Sequence, residues 1–236
     1  MSLPIKVSIV CPVFKEDKNI SRVLSQIGNK VHVPHEILII YDFAADPTVP
    51  VVKKYLTQHR SQIICLLKNN TGNGKGVLNA ILTGFKQAKG EAIVIMMADL
   101  SDDVSQVDKM YKLISKVYDI ICASRYMKGG KKIGGPPIKT LLSRLAGLSL
   151  KLIFGVPTTD ATNAYKMYRK SVLDDITIES TGGFEYSLEI VLKAFKKNYK
   201  ITEIPTIWRD RVTGQSNFKL WKWLPSYLKQ YLLIFR

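Results

Sequence analysis

Short apolar segments alternate with longer amphipathic ones through the first 124 residues, and this alternation restricts the fold more than any other feature of the sequence. The apolar segments are five to seven residues long and rich in β-branched side chains, which is typical of buried parallel strands. The alternation predicts an α/β protein with a doubly wound, mostly parallel sheet. The predicted strands are 7–13, 36–41, 62–67, 91–97 and 119–123, and the predicted helices are 21–30, 48–60, 76–89 and 104–117.

The second half of the sequence lacks this regular alternation. A loop rich in Gly, Pro and Lys at 128–137 precedes an apolar segment, 138–154, that also carries basic residues. A helix is predicted at 183–197 and a last strand at 201–209, and a basic, aromatic and amphipathic segment follows at 218–236. No internal repeat or domain boundary is evident, so we expect one domain over all 236 residues.

The charge of the chain is strongly positive and unevenly placed. The sequence contains 35 Lys and Arg against 19 Asp and Glu, a formal net charge of +16. Residues 1–124 carry 15 basic and 11 acidic side chains, whereas residues 125–236 carry 20 and 8. An excess of this size implies an anionic partner, which composition alone leaves open among nucleic acid, a phosphorylated substrate and an acidic membrane.

The three cysteines, Cys11, Cys65 and Cys122, lie in apolar segments and form no CxxC or Cys/His cluster. Neither a zinc site nor a disulfide framework is indicated, and we expect buried thiols in a reducing cytosol. We also expect no signal peptide and no complete transmembrane helix, because the first strand follows directly after Lys6 and no apolar run reaches 18 residues.

Charged side chains follow the predicted strands where those strands end. Sheets of this kind bind ligands at the carboxyl ends of their strands, so the loops after residues 13, 41, 67, 97 and 123 are candidate sites. Singly, each charge has a structural explanation, since Asp42 could close a turn and Asp102 and Asp103 could begin a helix. The charged residues in these loops include Lys15, Glu16, Asp17, Asp42, Asp46, Lys75, Asp99, Asp102, Asp103 and Arg125.

The Gly-rich loop around Lys75 does not fit two common nucleotide-binding motifs. A Walker A motif would need Gly at position 69 and Ser or Thr at position 76, where Asn69 and Gly76 stand. Gly72, Gly74 and Gly76 do not have the GxGxxG spacing of a dinucleotide site either. These departures disfavour a P-loop NTPase and a Rossmann oxidoreductase.

Six segments occur along the chain in the order found in one known family. They are Pro12–Glu16, Asp42, Gly74–Gly76, Ala98–Leu100, Ser124–Gly130 and Arg211–Ser216. Through these segments the chain resembles family-2 inverting glycosyltransferases of the GT-A fold, which has a Rossmann-like nucleotide-binding core. The resemblance is to the polyprenyl-phosphate branch in particular, which includes dolichol-phosphate mannose synthases. It covers residues 6–220 and implies a nucleotide-sugar-binding half at 1–124 and an acceptor- and membrane-facing half at 125–236.

The resemblance implies a donor site for a nucleoside-diphosphate sugar and a divalent cation. Carboxylates suit ribose hydroxyls and base N–H groups, and hard cations such as Mg²⁺ or Mn²⁺ prefer oxygen ligands. The chain departs from the usual Asp-x-Asp motif, because Met97 stands where the first Asp is expected. Asp99 is the implied metal ligand, with Ser101, Asp102 and Asp103 as candidates to complete the set. The implied donor-binding residues are Pro12, Phe14, Glu16, Asp42, Lys75 and Asp99.

The resemblance also implies that cations of the second half bind the phosphate of a polyprenyl acceptor, with Asp99 and Arg211 as the catalytic residues. A phosphate monoester is already anionic and needs no general base, whereas a saccharide hydroxyl would need one, for which Glu185 is the candidate. Asp160 lies in a segment that resembles the sugar pocket, and a role as a turn or helix cap explains it equally well. The implied acceptor-binding residues are Arg125, Lys139, Ser143, Arg211 and Ser216.

Two more distant functions explain less of the sequence. A nucleotidyltransferase usually has Gly and Arg near its start, and 7–17 contains neither. A nucleic-acid-binding module would account for the charge but not for the carboxylates at strand ends, so we expect no nucleic-acid partner.

Membrane association is a further expectation. Segments 138–154 and 221–235 combine Leu, Ile, Trp and Tyr with Lys and Arg, as interfacial helices do. Core helices with one wet face are the alternative. We expect a peripheral protein on the cytoplasmic face of an anionic membrane, and a transmembrane segment could follow residue 236, as in related enzymes. The oligomeric state is left open.

Overall fold

The computed structural model describes residues 4–69, 74–181, 183–211 and 220–235. Nine strands and eight α-helices lie within these residues. The strands are β1 (Val7–Val13), β2 (His35–Tyr41), β3 (Ile64–Lys68), β4 (Ala92–Ile95), β5 (Ile120–Ser124), β6 (Lys131–Ile133), β7 (Lys166–Arg169), β8 (Ile201–Pro205) and β9 (Ile207–Arg209). The helices are α1 (Ile20–Lys30), α2 (Thr48–Gln58), α3 (Val77–Gln87), α4 (Val107–Ile114), α5 (Pro137–Phe154), α6 (Lys170–Asp175), α7 (Tyr186–Lys196) and α8 (Leu220–Tyr231).

Seven strands form the central sheet in the order β3-β2-β1-β4-β7-β5-β8. All neighbours in it run parallel except β7, which is antiparallel to both β4 and β5. Every residue of β1 is buried because helices cover both faces of the sheet, which is why this strand is apolar almost throughout. The predicted doubly wound, mostly parallel sheet is confirmed.

Two apolar clusters fill the space on either side of the sheet. One includes Ile20, Leu24 and Ile27 of α1, and the other includes Ile81 and Phe85 of α3 together with residues of α7. The 3.6-residue spacing of these side chains turns one stripe of each helix towards the sheet. Each fully buried Leu, Ile or Phe contributes about 1.5–3 kcal/mol relative to exposure, so these layers hold the strand ends in a fixed array.

Three predicted elements differ from the structure. The predicted helix 104–117 begins with a 3₁₀ turn, Val104–Gln106, and continues as α4. The predicted strand 201–209 is two strands, because Thr206 leaves the large sheet: its N–H donates to Ser124 O (3.0 Å) and its carbonyl accepts from Lys131 N (2.9 Å). The predicted loop 128–137 contains β6, which pairs with β9 in a separate two-stranded ribbon.

The β6-β9 ribbon brings the end of the second half to the carboxyl ends of the central strands. Arg209 N donates to Ser101 O at 3.1 Å, and Asp210 N donates to Ile133 O at 2.8 Å. The backbone just before Arg211 is thereby fixed beside the loop that follows β4.

Helix α5 lies close to the segment before β7. A Cβ on Gly147 would stand 2.0 Å from Thr159 O, so only glycine allows this approach. The helix ends at Gly155, whose φ of 75° is the left-handed conformation usual for a C-terminal cap. Among the residues that the structure describes, no helix is both long and apolar enough to cross a bilayer. Cys11 and Cys122 are buried as expected, whereas Cys65 is only partly buried.

Candidate active site

The loop after β1 is held by the loop after β2. Asp46 accepts hydrogen bonds from Lys15 N at 3.0 Å and Thr48 N at 2.8 Å, while Thr48 Oγ1 accepts one from Glu16 N at 2.9 Å. Lys15 adopts a left-handed φ of 56°, an uncommon conformation that these bonds stabilise. Asp46, which is 1% exposed, is therefore a positioning residue; the sequence showed it among the carboxylates at strand ends but did not indicate this role.

Asp42 connects the ends of two neighbouring strands. Its carboxylate accepts hydrogen bonds from Asn69 Nδ2 at 2.7 Å and from Gly76 N, at the start of α3, at 3.0 Å. Gly76 has a φ of 122°, which residues with a Cβ rarely adopt. Each carboxylate oxygen can accept a further bond, so the turn-closing role and a donor-binding role are compatible. Lys75 is exposed beside this turn.

An aromatic pair, Phe14 and the partly buried Phe43, lies in the loops after β1 and β2. Phe14 is 47% exposed and meets Phe43 edge to face, with 5.9 Å between the ring centroids. The Lys15 ammonium lies 5.4 Å from the centroid of Phe14. Pro12, by contrast, is buried within β1 opposite Ile40, so it shapes the strand behind the site rather than its surface.

Asp99 joins the predicted donor side to the predicted acceptor side. Its Oδ1 accepts a hydrogen bond from Ser101 N at 3.1 Å, and its Oδ2 lies 2.7 Å from Arg211 Nη2. Arg211 Nη1 is 3.9 Å from Glu16 Oε1, so one guanidinium bridges two acids from different loops. Burial, with the charge of Asp99 as a smaller cause, raises the pKa of Glu16. Leu100 next to Asp99 has a left-handed φ of 63°, a strained conformation of the kind found at functional sites.

The two aspartates that follow have different surroundings. Asp102 accepts a hydrogen bond from Met97 N at 3.0 Å, and burial together with the charge of Asp99 raises its pKa to about 7. Asp103 caps the 3₁₀ turn by accepting bonds from Ser105 and Gln106, and these bonds outweigh burial and lower its pKa. Asp103 thus has the helix-starting role that the sequence left open.

A divalent cation fits this site only if the substrate supplies some of its ligands. Among the described residues, no three His, Cys, Asp or Glu side chains are arranged to hold a metal. Asp99 stands at the strand end and Ser101 supplies its backbone N–H to that carboxylate. Mg²⁺ is commonly bound by one or two carboxylates together with substrate phosphates and waters, so Asp99 with a diphosphate is a chemically adequate set.

Arg125 is already paired inside the protein. Its Nε and Nη2 each lie 2.7 Å from a different oxygen of Asp160, and its backbone N–H donates to the same carboxylate at 2.9 Å. Arg125 is 9% exposed and Asp160 is fully buried. The structure therefore makes Asp160 the buried partner of Arg125 rather than a surface residue, and the role of Arg125 towards an acceptor stays a prediction.

Lys139 lies in a region of concentrated positive charge. Burial, followed by repulsion from Arg125 and Lys132, lowers the pKa of Lys139 to about 8, and Arg211 adds to this repulsion. Lys132, which was not among the predicted site residues, donates to Thr140 Oγ1 and lies 5.3 Å from the ring centroid of Trp208. In the sequence, only its place in the loop rich in Gly, Pro and Lys indicated it.

Ser143 lies one turn beyond Lys139 on α5. Its hydroxyl donates to Thr140 O at 3.1 Å and contacts Tyr126 Oη, in the loop after β5. The predicted phosphate-binding residue Ser216 lies outside the described residues.

Glu185 is buried at the start of α7. It is 1% exposed and its Oε1 accepts a hydrogen bond from Gly183 N at 3.1 Å. Burial and the charge of Glu185 raise the pKa of Tyr227, which places this acid beside α8. Glu189, the next acid on the helix, pairs with Lys193 at 2.7 Å and accepts the N–H groups of residues 179 and 180, so its role is structural.

Residues 8–177 match the model of the family described as Glycosyl transferase family 2, and the chain belongs to that family. It is similar to the dolichol-phosphate mannosyltransferase of Pyrococcus furiosus, with 28% identity over 219 residues that cover 91% of this chain and 59% of that protein. It is also similar to the polyprenol monophosphomannose synthase of Mycolicibacterium smegmatis, with 22% identity over 213 residues, 88% of this chain and 79% of that protein. The chain thus spans less than two thirds of the first relative.

The fold is shared with solved glycosyltransferase structures. The crystal structure of glucosyl-3-phosphoglycerate synthase from Mycobacterium tuberculosis in complex with Mn²⁺, UDP and glucosyl-3-phosphoglycerate superposes with a TM-score of 0.70 at 11% identity, covering 97% of this chain and 79% of that one. The same enzyme has been crystallised with Mg²⁺ and UDP. The resemblance to the family and the expected GT-A-type α/β fold are both confirmed.

Proposed function

We propose that this protein transfers a sugar from a nucleoside-diphosphate sugar to a polyprenyl phosphate, with inversion at the anomeric carbon. The activities for which the two relatives are named support this reaction. One observation carries the proposal: the acid suited to a cation and diphosphate, Asp99, lies 2.7 Å from Arg211, one of the cations whose charge also acts on Lys139. The pair connects the proposed cation site with the proposed acceptor cations, which suits a reaction between two phosphorylated substrates.

On the donor side, three loops would hold the nucleotide sugar. Asp42 and Glu16 offer carboxylate oxygens to ribose hydroxyls or to a base N–H. Phe14, which is exposed, and the partly buried Phe43 would offer an apolar surface in the same loops. Asp99 would hold Mg²⁺ or Mn²⁺, which supplies neutralisation of the negative charge on the departing diphosphate.

On the acceptor side, Lys139 and Arg211 would hold the phosphate of the lipid, with Arg125 adding positive charge behind them. An oxygen of this phosphate attacks the anomeric carbon as the bond from that carbon to the diphosphate oxygen breaks. The electron pair of the broken bond leaves with the nucleoside diphosphate. No proton must be removed from the nucleophile, so catalysis rests on positioning and on electrostatic stabilisation of the leaving group.

The test is a panel of nucleoside-diphosphate sugars incubated with polyprenyl phosphate and Mg²⁺, Mn²⁺ or EDTA. We expect a glycosyl phospholipid from at least one donor, dependent on the cation and lost in EDTA. Transfer to a saccharide hydroxyl instead would establish the alternative acceptor class. The absence of both transfer and donor hydrolysis across the panel would refute the enzyme proposal.

We further propose that α5 and α8 seat the protein on the cytoplasmic face of an anionic membrane. Ile138, Leu141, Leu145 and Leu152 lie on one face of α5 and are 55–78% exposed. On α8 and the 3₁₀ turn after it, Trp221, Leu228, Leu232 and Phe235 are 53–73% exposed. The two segments touch, with 5.1 Å between the ring centroids of Phe154 and Phe235 and 2.8 Å between Ser149 Oγ and Tyr231 Oη.

The charges around this surface favour a membrane over a core-packed partner. Arg144, Lys222 and Lys229 are exposed on the same two helices. Basic residues beside exposed Leu and Trp are typical of helices that lie in the interface of a bilayer, and the cytoplasmic leaflet carries the anionic lipids. A polyprenyl acceptor is presented by such a surface.

Flotation with vesicles tests the membrane proposal. We expect binding to vesicles containing anionic lipid and weaker binding to neutral ones. The double variant Leu141→Glu/Leu145→Glu should lose most of this binding. The control Ile63→Glu should not, because Ile63 is 46% exposed just before β3, away from both helices. Equal binding of the double variant and the control would refute this docking surface.

A further inference from the structure

Arg211 sits where the proposed cation would act. Asp99 is only 7% exposed; Ser101 N–H donates to Oδ1, while the guanidinium of Arg211 lies against Oδ2. The second contact of Arg211, 3.9 Å from Glu16 Oε1, keeps the guanidinium between the two donor-side acids. The same side chain belongs to the group of cations that acts on Lys139. One residue therefore has interactions on both sides of the site.

A guanidinium and a divalent cation compete for this carboxylate. Both are positive, so a cation that approaches Asp99 while Arg211 lies 2.7 Å from Oδ2 is repelled, and each weakens the binding of the other. Without a cation, Arg211 supplies the positive charge that keeps Asp99 and Glu16 from repelling each other. When a cation bound with the diphosphate supplies that charge, the contact with Arg211 is no longer needed to stabilise the two acids.

We propose that Arg211 is an exchangeable counterion that links donor binding to acceptor binding. It pairs with Asp99 in the donor-free protein, leaves when the cation and diphosphate bind, and then turns to the acceptor phosphate beside Lys139. Because Arg209 N and Asp210 N are hydrogen-bonded to neighbouring segments, the exchange is a movement of the side chain. This inference rests on the proposed function, and it predicts that the donor binds first.

The first experiment measures Mn²⁺ affinity and needs neither acceptor nor turnover. Free Mn²⁺ is followed by electron paramagnetic resonance in the wild type, Arg211→Ala and Asp99→Ala, with and without UDP or GDP. We expect Arg211→Ala to bind Mn²⁺ about fivefold more tightly, since removing a partly exposed competing ion pair is worth about that factor. Asp99→Ala should lose the binding.

Arg209→Ala is the matched control. This variant removes one positive charge from an exposed side chain that lies two residues before Arg211. It leaves the contact between Arg211 and Asp99 intact. We expect its Mn²⁺ affinity to change by less than about twofold, because exposed charges are screened by solvent and salt. An equal increase in Mn²⁺ affinity in both variants would show that any loss of positive charge has this effect, and it would overturn the exchange. Unchanged or weaker Mn²⁺ binding in Arg211→Ala would overturn it as well.

The second experiment measures coupling between the two sites. Binding of a short-chain polyprenyl phosphate is measured by calorimetry with and without Mn²⁺ and the nucleoside diphosphate. We expect donor-side ligands to tighten acceptor binding about fivefold in the wild type, and to have no such effect in Arg211→Ala. No coupling in the wild type would overturn the exchange while leaving transfer in the donor panel intact. Absence of transfer in that panel would instead refute the proposed function, whichever way Mn²⁺ binds.

Discussion

The two sides of the candidate site are stabilised by opposite means. On the donor side, Asp42 and Asp46 accept N–H groups from neighbouring loops, so their charges fix the local geometry. On the acceptor side, Arg125, Lys132 and Lys139 lie near enough for repulsion to lower the pKa of Lys139. Gathering like charges costs free energy, and an anion bound among them recovers it. On the proposed donor side the protein itself pairs these carboxylates, whereas on the proposed acceptor side a bound phosphate would relieve the repulsion.

The largest expected effect comes from removing the buried anion of the acceptor side. In Asp160→Ala the Arg125 guanidinium keeps its charge but loses its bidentate partner, so we expect a loss of about 3–5 kcal/mol in the free energy of unfolding, measured in urea. Asp174→Ala is the control, because its ion pair with Lys170 is exposed and should contribute less than about 1 kcal/mol. Similar losses in the two variants would show that Asp160 does not support the acceptor side.

The next effect concerns the junction of the two sides. Asp99→Ala should lower kcat by a factor of about 10²–10³ under saturating donor, since it removes the carboxylate that would hold the cation against the developing negative charge of the diphosphate. Asp103→Ala should lower stability by about 1 kcal/mol, the usual value of a cap, and leave kcat within about threefold. A kinetic loss in Asp103→Ala as large as that in Asp99→Ala would make Asp103 a member of the catalytic group.

The grouping of carboxylates at one edge of the sheet could be predicted from the sequence. The strands have a simple apolar pattern, and a parallel sheet places the residues after them at one edge, which groups Glu16, Asp42 and Asp99. The contacts of Phe43 and Asp46 could not be derived in this way. They depend on the path of the loop after β2, which no periodic pattern describes.

The acceptor side depends on contacts between distant residues. Arg125 and Asp160 are 35 positions apart, and nothing local in either segment indicates the pair. Strand β7 was not predicted because it begins with Lys166, a fully buried lysine whose Nζ donates to Ala161 O and Ser187 Oγ. A charged residue in the central sheet breaks the apolar pattern by which strands are recognised, and only its hydrogen-bond acceptors make this burial tolerable.

The charge of Lys139 can be tested by measuring acceptor binding as a function of pH. Because its pKa is about 8, the acceptor side loses a positive charge as the pH rises from 7 to 9, and we expect the KM for polyprenyl phosphate to rise about tenfold, the worth of one charged hydrogen bond. The KM for the donor should change little. Lys139→Arg should abolish the rise, since Arg keeps its charge throughout this range.

The free energy of unfolding should increase as the pH rises from about 8 towards 10.5, whereas the affinity for the acceptor should decrease. The pKa of Lys139 in the folded protein lies below its ordinary value of 10.5, so the charged form is disfavoured by folding. The resulting cost is present below about pH 8 and disappears as the pH rises towards 10.5. A parallel loss of acceptor affinity and stability would show that the KM effect reflects unfolding rather than titration of this lysine.

The smallest expected effect separates the two acceptor classes. Glu185→Gln retains an oxygen for Gly183 N–H and removes only the ability to take a proton. With a phosphate acceptor we expect kcat to change by less than about threefold, whereas a hydroxyl acceptor that relied on this base would lose about 10²–10⁴-fold. The variant is assayed with polyprenyl phosphate and with any saccharide found active in the donor panel. Glu189→Gln, which weakens the pair with Lys193, should lower stability without distinguishing the acceptors. A large loss confined to Glu185→Gln would mean that proton removal limits the reaction, and the cations of the acceptor side would then serve an acceptor other than a phosphate.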